Sequence, residues 1–113
     1  RLTRLLPATY ADDAWFNDTL KTITGRDALA HYLAESAAAV EHCSVRIVDV
    51  TRNPEGEHLL RWQMTIRFKR FKKGVDTHSI GLSHLRFDAN GHVVYHQDYW
   101  NAADGLFRHI PVL

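Results

Sequence analysis

Near the C-terminal end of this chain, histidine and aspartate recur at every second or fourth position: His92, His96 and Asp98, followed by Trp100. In a strand, side chains alternate between faces, so these residues and Val94 share one face while Val93, Tyr95 and Tyr99 take the other. A carboxylate two residues from an imidazole on one face can exchange protons, and the imidazole can orient it or share the proton. That chemistry needs shelter. Desolvation among apolar groups disfavours a charged carboxylate and moves its titration toward neutrality. Alternation alone leaves open whether this face is sheltered or solvated. A metal site is the weaker reading, since residues i and i+4 of a strand lie about 13 Å apart, too far for one ion. Asp18 is a second acid with two readings. It is either an acid/base partner across a pocket or a turn residue bonding backbone amides ahead of Thr19.

Aromatic and apolar residues supply a candidate lining. Trp62, Met64, Ile66 and Phe68 alternate with Arg61, Gln63, Thr65, Arg67 and Lys69, which predicts a strand with one apolar face. With Tyr32 and Trp100 they suit either a core or the wall of a site for a flat apolar ligand. Tyr32 and Trp100 are the better lining candidates, because their polar ends need partners when buried. Arg67, Lys69, Arg70, Lys72 and Lys73 make a basic tip that reads as a solvated hairpin edge. No nucleophile elbow, phosphate loop or dinucleotide fingerprint occurs, and no cofactor is implied.

The elements that must position these groups follow from period and punctuation. Thr24-Gly25-Arg26-Asp27 reads as a helix start with Thr24 as cap and Asp27 at the positive end of the dipole. Leu29, Tyr32, Leu33, Ser36 and Val40 then recur at spacings of three and four. From Cys43 the period becomes two. Asn53-Pro54-Glu55-Gly56, Lys72-Lys73-Gly74 and Asp88-Ala89-Asn90-Gly91 divide four predicted strands: 43–52, one centred on Trp62–Phe68, 77–87 and 92–100. Short turns make these an antiparallel meander, and its apolar face calls for the preceding helices as cover. Arg1 to Leu6 reads as the end of a longer first helix, and Leu106 to Leu113 as an apolar tail that docks.

At 113 residues there is room for one domain, spanning 1–113. Fourteen basic and 13 acidic side chains leave a formal charge of +1, which gives no field for nucleic acid or an anionic membrane. Cys43 is the single cysteine, and no apolar run reaches the roughly 18 residues of a membrane span, so a cytoplasmic protein is expected.

Three stretches resemble the nuclear transport factor 2-like superfamily. Tyr10-Ala11-Asp12-Asp13-Ala14-Trp15-Phe16-Asn17-Asp18 is similar to the stretch that opens its first strand, and Thr24-Gly25-Arg26-Asp27-Ala28-Leu29 to the start of its covering helix. Ser83-His84-Leu85-Arg86-Phe87, Gly91 and His96-Gln97-Asp98-Tyr99-Trp100-Asn101 resemble the final hairpin of the polyketide-cyclase-like (SnoaL-like) members. The resemblance implies an α+β conical fold: a strongly curved antiparallel sheet covered by N-terminal helices, the first of them truncated here. It also implies a pocket between helices and sheet, toward which Asp98 and His96 turn as acid/base residues. In the ketosteroid isomerase branch Asp18 matches the proton-shuttling base. Ser83 stands where that branch keeps a neutral carboxylic acid, and a hydroxyl is a weaker donor. Tyr32, Trp62, Met64, Ile66, Ser83 and Trp100 are the implied ligand-binding set. Family members commonly pair through their sheets, so a homodimer is expected. Two functions fit: a cofactor-free acid/base enzyme on a small apolar or aromatic molecule, and a non-catalytic binding or dimerisation module.

Overall fold

The described residues, 2–71 and 74–102 of a computed structural model, form two helices and six strands. Helix α1 (Leu2–Thr9) runs into β1 (Tyr10–Asn17), a short β2 (Thr22–Thr24) follows, and α2 (Arg26–Ala38) precedes four long strands. These are β3 (Val40–Arg52), β4 (His58–Phe68), β5 (Thr77–Phe87) and β6 (Val93–Ala102), in a single sheet of order β2-β1-β6-β5-β4-β3. The predicted meander is there. The sheet as a whole is mixed rather than antiparallel, because β1 joins β6 in parallel, with Phe16 opposite His96. A parallel neighbour needs a long crossover, and α2 with β3 to β5 supplies it. The tail from Leu106, together with Lys72 and Lys73 of the basic tip, lies outside the described residues.

Local chemistry explains the element ends. Asn53 accepts the amide of Glu57 at 2.9 Å, and Gly56, at φ 82°, completes that turn. Asp88 accepts the amides of Asn90 and His92, both at 2.9 Å, and closes the β5–β6 hairpin. The start of α2 departs from expectation. Thr24 is a strand residue paired with Trp15, so it makes no cap; Gly25 occupies the N-cap at φ 98° without any side-chain bond. The amide of Gly25 instead donates to the Ala14 carbonyl at 2.9 Å and ties the helix to β1.

The predicted apolar face of α2 holds for Leu29, Tyr32 and Leu33, whereas Val40 lies past the helix end and opens β3. Leu29 and Tyr32 are buried with Leu6, Phe16 and Ile23, one core cluster between the helices and β1–β2. Full burial of a side chain such as Leu29 stabilises by about 1.5–3 kcal/mol. Ile66 and Phe68 anchor a second cluster, with Met64 and Trp100 packed against it. The helices pack on β1, β2 and β3, and the inner face of the edge strand β3 is less covered: Val45 and Ile47, opposite Met64 and Trp62, stay about half exposed. Alternation fails once on β6. Arg86 pairs with Tyr95 and Phe87 with Val93, so Val94 is an unmatched bulge residue. Val93, placed outward by unbroken alternation, is therefore buried at 2% exposure.

Candidate functional site

Cross-strand register assembles the site. Ser83 on β5 lies opposite Asp98 on β6, and Gly81 lies opposite both Trp62 on β4 and Trp100 on β6. Residues directly opposite share a face, so Trp62, Ser83, Asp98 and Trp100 project to the side that carries the helices. Gly81 matters through what it lacks. A Cβ there would stand 2.3 Å from the Trp62 ring, so the indole lies flat over bare backbone.

A chain of hydrogen bonds ends on Asp98 from both sides. Indole nitrogen only donates, so Trp62 Nε1–H donates to Ser83 Oγ at 2.9 Å, and the Ser83 hydroxyl gives its proton to Asp98 Oδ1 at 2.5 Å. From the other side His96 Nε2 donates to the same oxygen at 2.6 Å, and Tyr10 OH meets His96 Nδ1 at 2.7 Å. A neutral imidazole with its proton on Nε2 satisfies both contacts, with the Tyr10 hydroxyl as donor. Asp98 Oδ1 thus takes two donors, and among the described residues Oδ2 takes none. The side chains of His96 and Asp98 keep 15% and 19% exposure. Tyr10 is pushed up to about 12, first by burial and then by the Asp98 charge. It is a phenol throughout the neutral range.

Asp18 makes the expected turn and also meets Tyr32. Oδ1 accepts the amides of Leu20 at 3.0 Å and Lys21 at 2.9 Å, the turn reading, while Oδ2 accepts Tyr32 OH at 2.5 Å. Trp100 Nε1 donates to the Asp18 carbonyl at 2.8 Å. Burial raises the Tyr32 phenol above its ordinary value, followed by the Asp18 hydrogen bond and by the charges of Asp18 and Asp98. Tyr32 therefore senses both carboxylates. The turn carries backbone strain: Thr19, β-branched, sits at φ 73° and is held by its amide bond to Asn17 Oδ1 at 2.8 Å.

The predicted residues divide between two connected groups and the core. His96, Ser83 and Trp62 gather on Asp98, and Tyr32 and Trp100 on Asp18, whereas Met64 and Ile66 belong to the second core cluster. His92 precedes β6 and faces Asp88 at 3.9 Å. Tyr10 and Gly81 carry parts of the site that the sequence reading did not assign. The same alternation that buries Ala14 and Phe16 pointed to Tyr10, but its partner His96 is 86 residues away on a parallel neighbour. Asp98 lines none of the main concavities, of about 300–500 Å³, among the described residues. The pocket between helices and sheet that the resemblance implies, with Asp98 on its wall, is therefore not shown among the described residues.

Comparison with known proteins follows this geometry. The family model described as "SnoaL-like domain" matches residues 3–96. No curated protein matches the chain. Among solved structures, an NTF2-like protein of unknown function from Burkholderia pseudomallei K96243 is 15% identical with a TM-score of 0.78, over 97% of this chain and 88% of its own. An LEH-like epoxide hydrolase of Mycobacterium tuberculosis is 16% identical with a TM-score of 0.70, over 87% and 66%. A protein with a ketosteroid isomerase-like fold from Catenulispora acidiphila DSM 44928, in complex with trimethylamine, is 20% identical with a TM-score of 0.71, over 81% and 69%. At these identities the likeness concerns the fold.

Proposed function

Since the chain belongs to the SnoaL-like domain family, we propose that it is an acid/base enzyme, working without a cofactor, on a small, largely apolar molecule held against Trp62, Trp100 and Tyr32. Asp98 transfers the proton through Oδ2, and His96 with Ser83 holds the carboxylate and sets its protonation. The observation that carries this reading is the asymmetry of Asp98: one oxygen receives Ser83 and His96, and the other is left for a ligand. A carboxylate fixed in this way exchanges protons without reorganising, which is what general acid/base catalysis requires. Cyclisation, isomerisation and epoxide opening are the reaction classes the fold accommodates, and fold does not choose among them. The trimethylamine complex of the Catenulispora acidiphila relative supports a ligand of small size. Asp18 with Tyr32 is the second acid/base pair on the same side.

A second reading, a non-catalytic binding or dimerisation module, is favoured by one observation: the bonds that orient Asp98 also clamp β1, β4, β5 and β6 together, and Asp98 lines none of the main concavities among the described residues. Native mass spectrometry of the purified protein comes first, because a retained molecule names the substrate class. Asp98→Asn then separates the readings, since asparagine keeps the Oδ1 acceptor and removes the exchangeable oxygen. The enzyme reading expects turnover of that molecule to fall by about 10²-fold or more, with binding and melting temperature little changed. Unchanged turnover in the variant defeats it.

A further inference from the structure

We infer that the Asp98 site recognises a protonated amine with an apolar body. This rests on the proposed reading of the site as a ligand site, and it specifies the ligand's chemistry. The first argument is a count of donors. The proton of Trp62 Nε1 goes to Ser83, those of Ser83 and His96 Nε2 go to Asp98, that of Tyr32 to Asp18, and that of Trp100 Nε1 to the Asp18 carbonyl, while Tyr10 OH and His96 Nδ1 share one contact. Every one of these donors is spent inside the cluster. What faces a ligand is therefore a set of acceptors: Asp98 Oδ2 and the second lone pairs of the phenol and serine oxygens. A ligand that brings no proton of its own meets acceptors here, except where Asp98 itself carries the proton.

Charge gives the second argument. The cluster holds two carboxylates, and both act on the Tyr32 phenol. Arg26 is paired with Asp12, and Arg61 and Arg86, on the opposite face of the sheet, pair with Asp49 and Glu57. Lys21 Nζ stands over the Tyr32 ring, 5.4 Å from its centroid, and makes no ion pair with Asp18 among the described residues. The local field thus attracts positive charge and repels an anionic ligand. The third argument is the wall. Trp62 and Trp100, which are only partly buried, present aromatic surface beside Asp98, and an ammonium gains from an aromatic face while its apolar substituents gain from burial.

The test uses the wild-type protein and four six-membered-ring probes of one shape: cyclohexylammonium, cyclohexanol, cyclohexanone and cyclohexanecarboxylate. Indole N–H signals in ¹H–¹⁵N spectra report binding, with Trp62 and Trp100 in the site. Trp15, stacked on Tyr95 with 5.0 Å between ring centroids, serves as control. The expected result is that cyclohexylammonium shifts Trp62 and Trp100 but not Trp15, and binds about tenfold or more tightly than cyclohexanol. Asp98→Asn, checked for an unchanged melting temperature, should weaken the ammonium about tenfold and leave the alcohol nearly unaffected. Tightest binding by the ketone or the carboxylate overturns the amine assignment and leaves the ligand site standing. If no probe moves either indole, the amine assignment and the ligand site fall together.

Discussion

Tyr10 connects the candidate site to stability in a way that can be titrated. Its phenol is partly buried and feels the Asp98 charge, and in that order these push it up to about 12 from an ordinary value near 10. The folded state therefore holds this proton more tightly than the unfolded chain does. The resulting stability is fully present below pH 10 and is lost as the pH rises through about 12, because the unfolded state releases the proton first. The size is on the order of 2 kcal/mol. Tyr10→Phe should flatten the alkaline limb of the stability curve between pH 10 and 12, measured by urea denaturation across that range. An identical alkaline limb in the variant would show that Tyr10 ionises freely and does not sit in the relay. At this scale the sequence was informative about Asp98, His96, Ser83 and Trp62, because a period of two and short turns fix which residues meet across a meander. It said little about Tyr10 and Gly81. A parallel pairing between distant segments has no local signature, and the need for a bare backbone under an indole appears only once the two strands are side by side.

The start of α2 shows how an element can have the right place and another cause. Thr24 has the side chain of a cap, and Thr24-Gly25-Arg26-Asp27 reads as one. The pairing of Thr24 with Trp15 removes it from that role, and Gly25 makes the turn at φ 98° and ψ 139°. That backbone region belongs to glycine, and a Cβ there costs about 1–3 kcal/mol. Gly25→Ala should accordingly lower stability by about 2 kcal/mol, or several degrees in melting temperature, while Thr24→Ala shifts it by less than about 0.5 kcal/mol. Thermal denaturation of the two variants side by side decides the matter, and a larger loss from Thr24→Ala would restore the cap. The strands were legible for the opposite reason. Trp62, Met64, Ile66 and Phe68 sit where alternation puts them, and Asp88 and Asn53 make their turns with local side-chain bonds. The breaks, at Val94 and at two places in β3, come from bulges, which change the count of residues between partners without changing their types.

At the scale of the whole molecule, the outer face of the sheet still has to be explained. Ile80 and Tyr99 are 57% and 52% exposed, and with Val48 and Leu82 they line a concavity of about 470 Å³. Arg61 and Asp49, the nearest charges, pair with one another and leave no net charge at its rim. Neighbouring Tyr95 is occupied by Trp15 and Arg86, and Gln97 by Asn17, so Tyr99 is the aromatic residue of this face with most surface to give. We propose that a second copy of the chain covers this face, each Tyr99 entering the concavity of the other. A two-fold interface meets every residue twice, so one unfavourable substitution counts double. Sedimentation velocity at about 10 µM should find a dimer with the buried area expected of a specific interface, about 1,200–2,000 Å² in total. Ile80→Asp buries two unpaired carboxylates and should weaken the dimer at least about 100-fold, leaving monomers at that concentration. The melting temperature measured at high dilution should barely change, because Ile80 is exposed in the single chain. A wild-type protein that sediments as a monomer, or an Ile80→Asp variant that remains a dimer, places the contact elsewhere. The two faces would then be separable in function: the inner one binding, the outer one joining copies, with Gly81 between Trp62 and Trp100 as the strip of backbone they share.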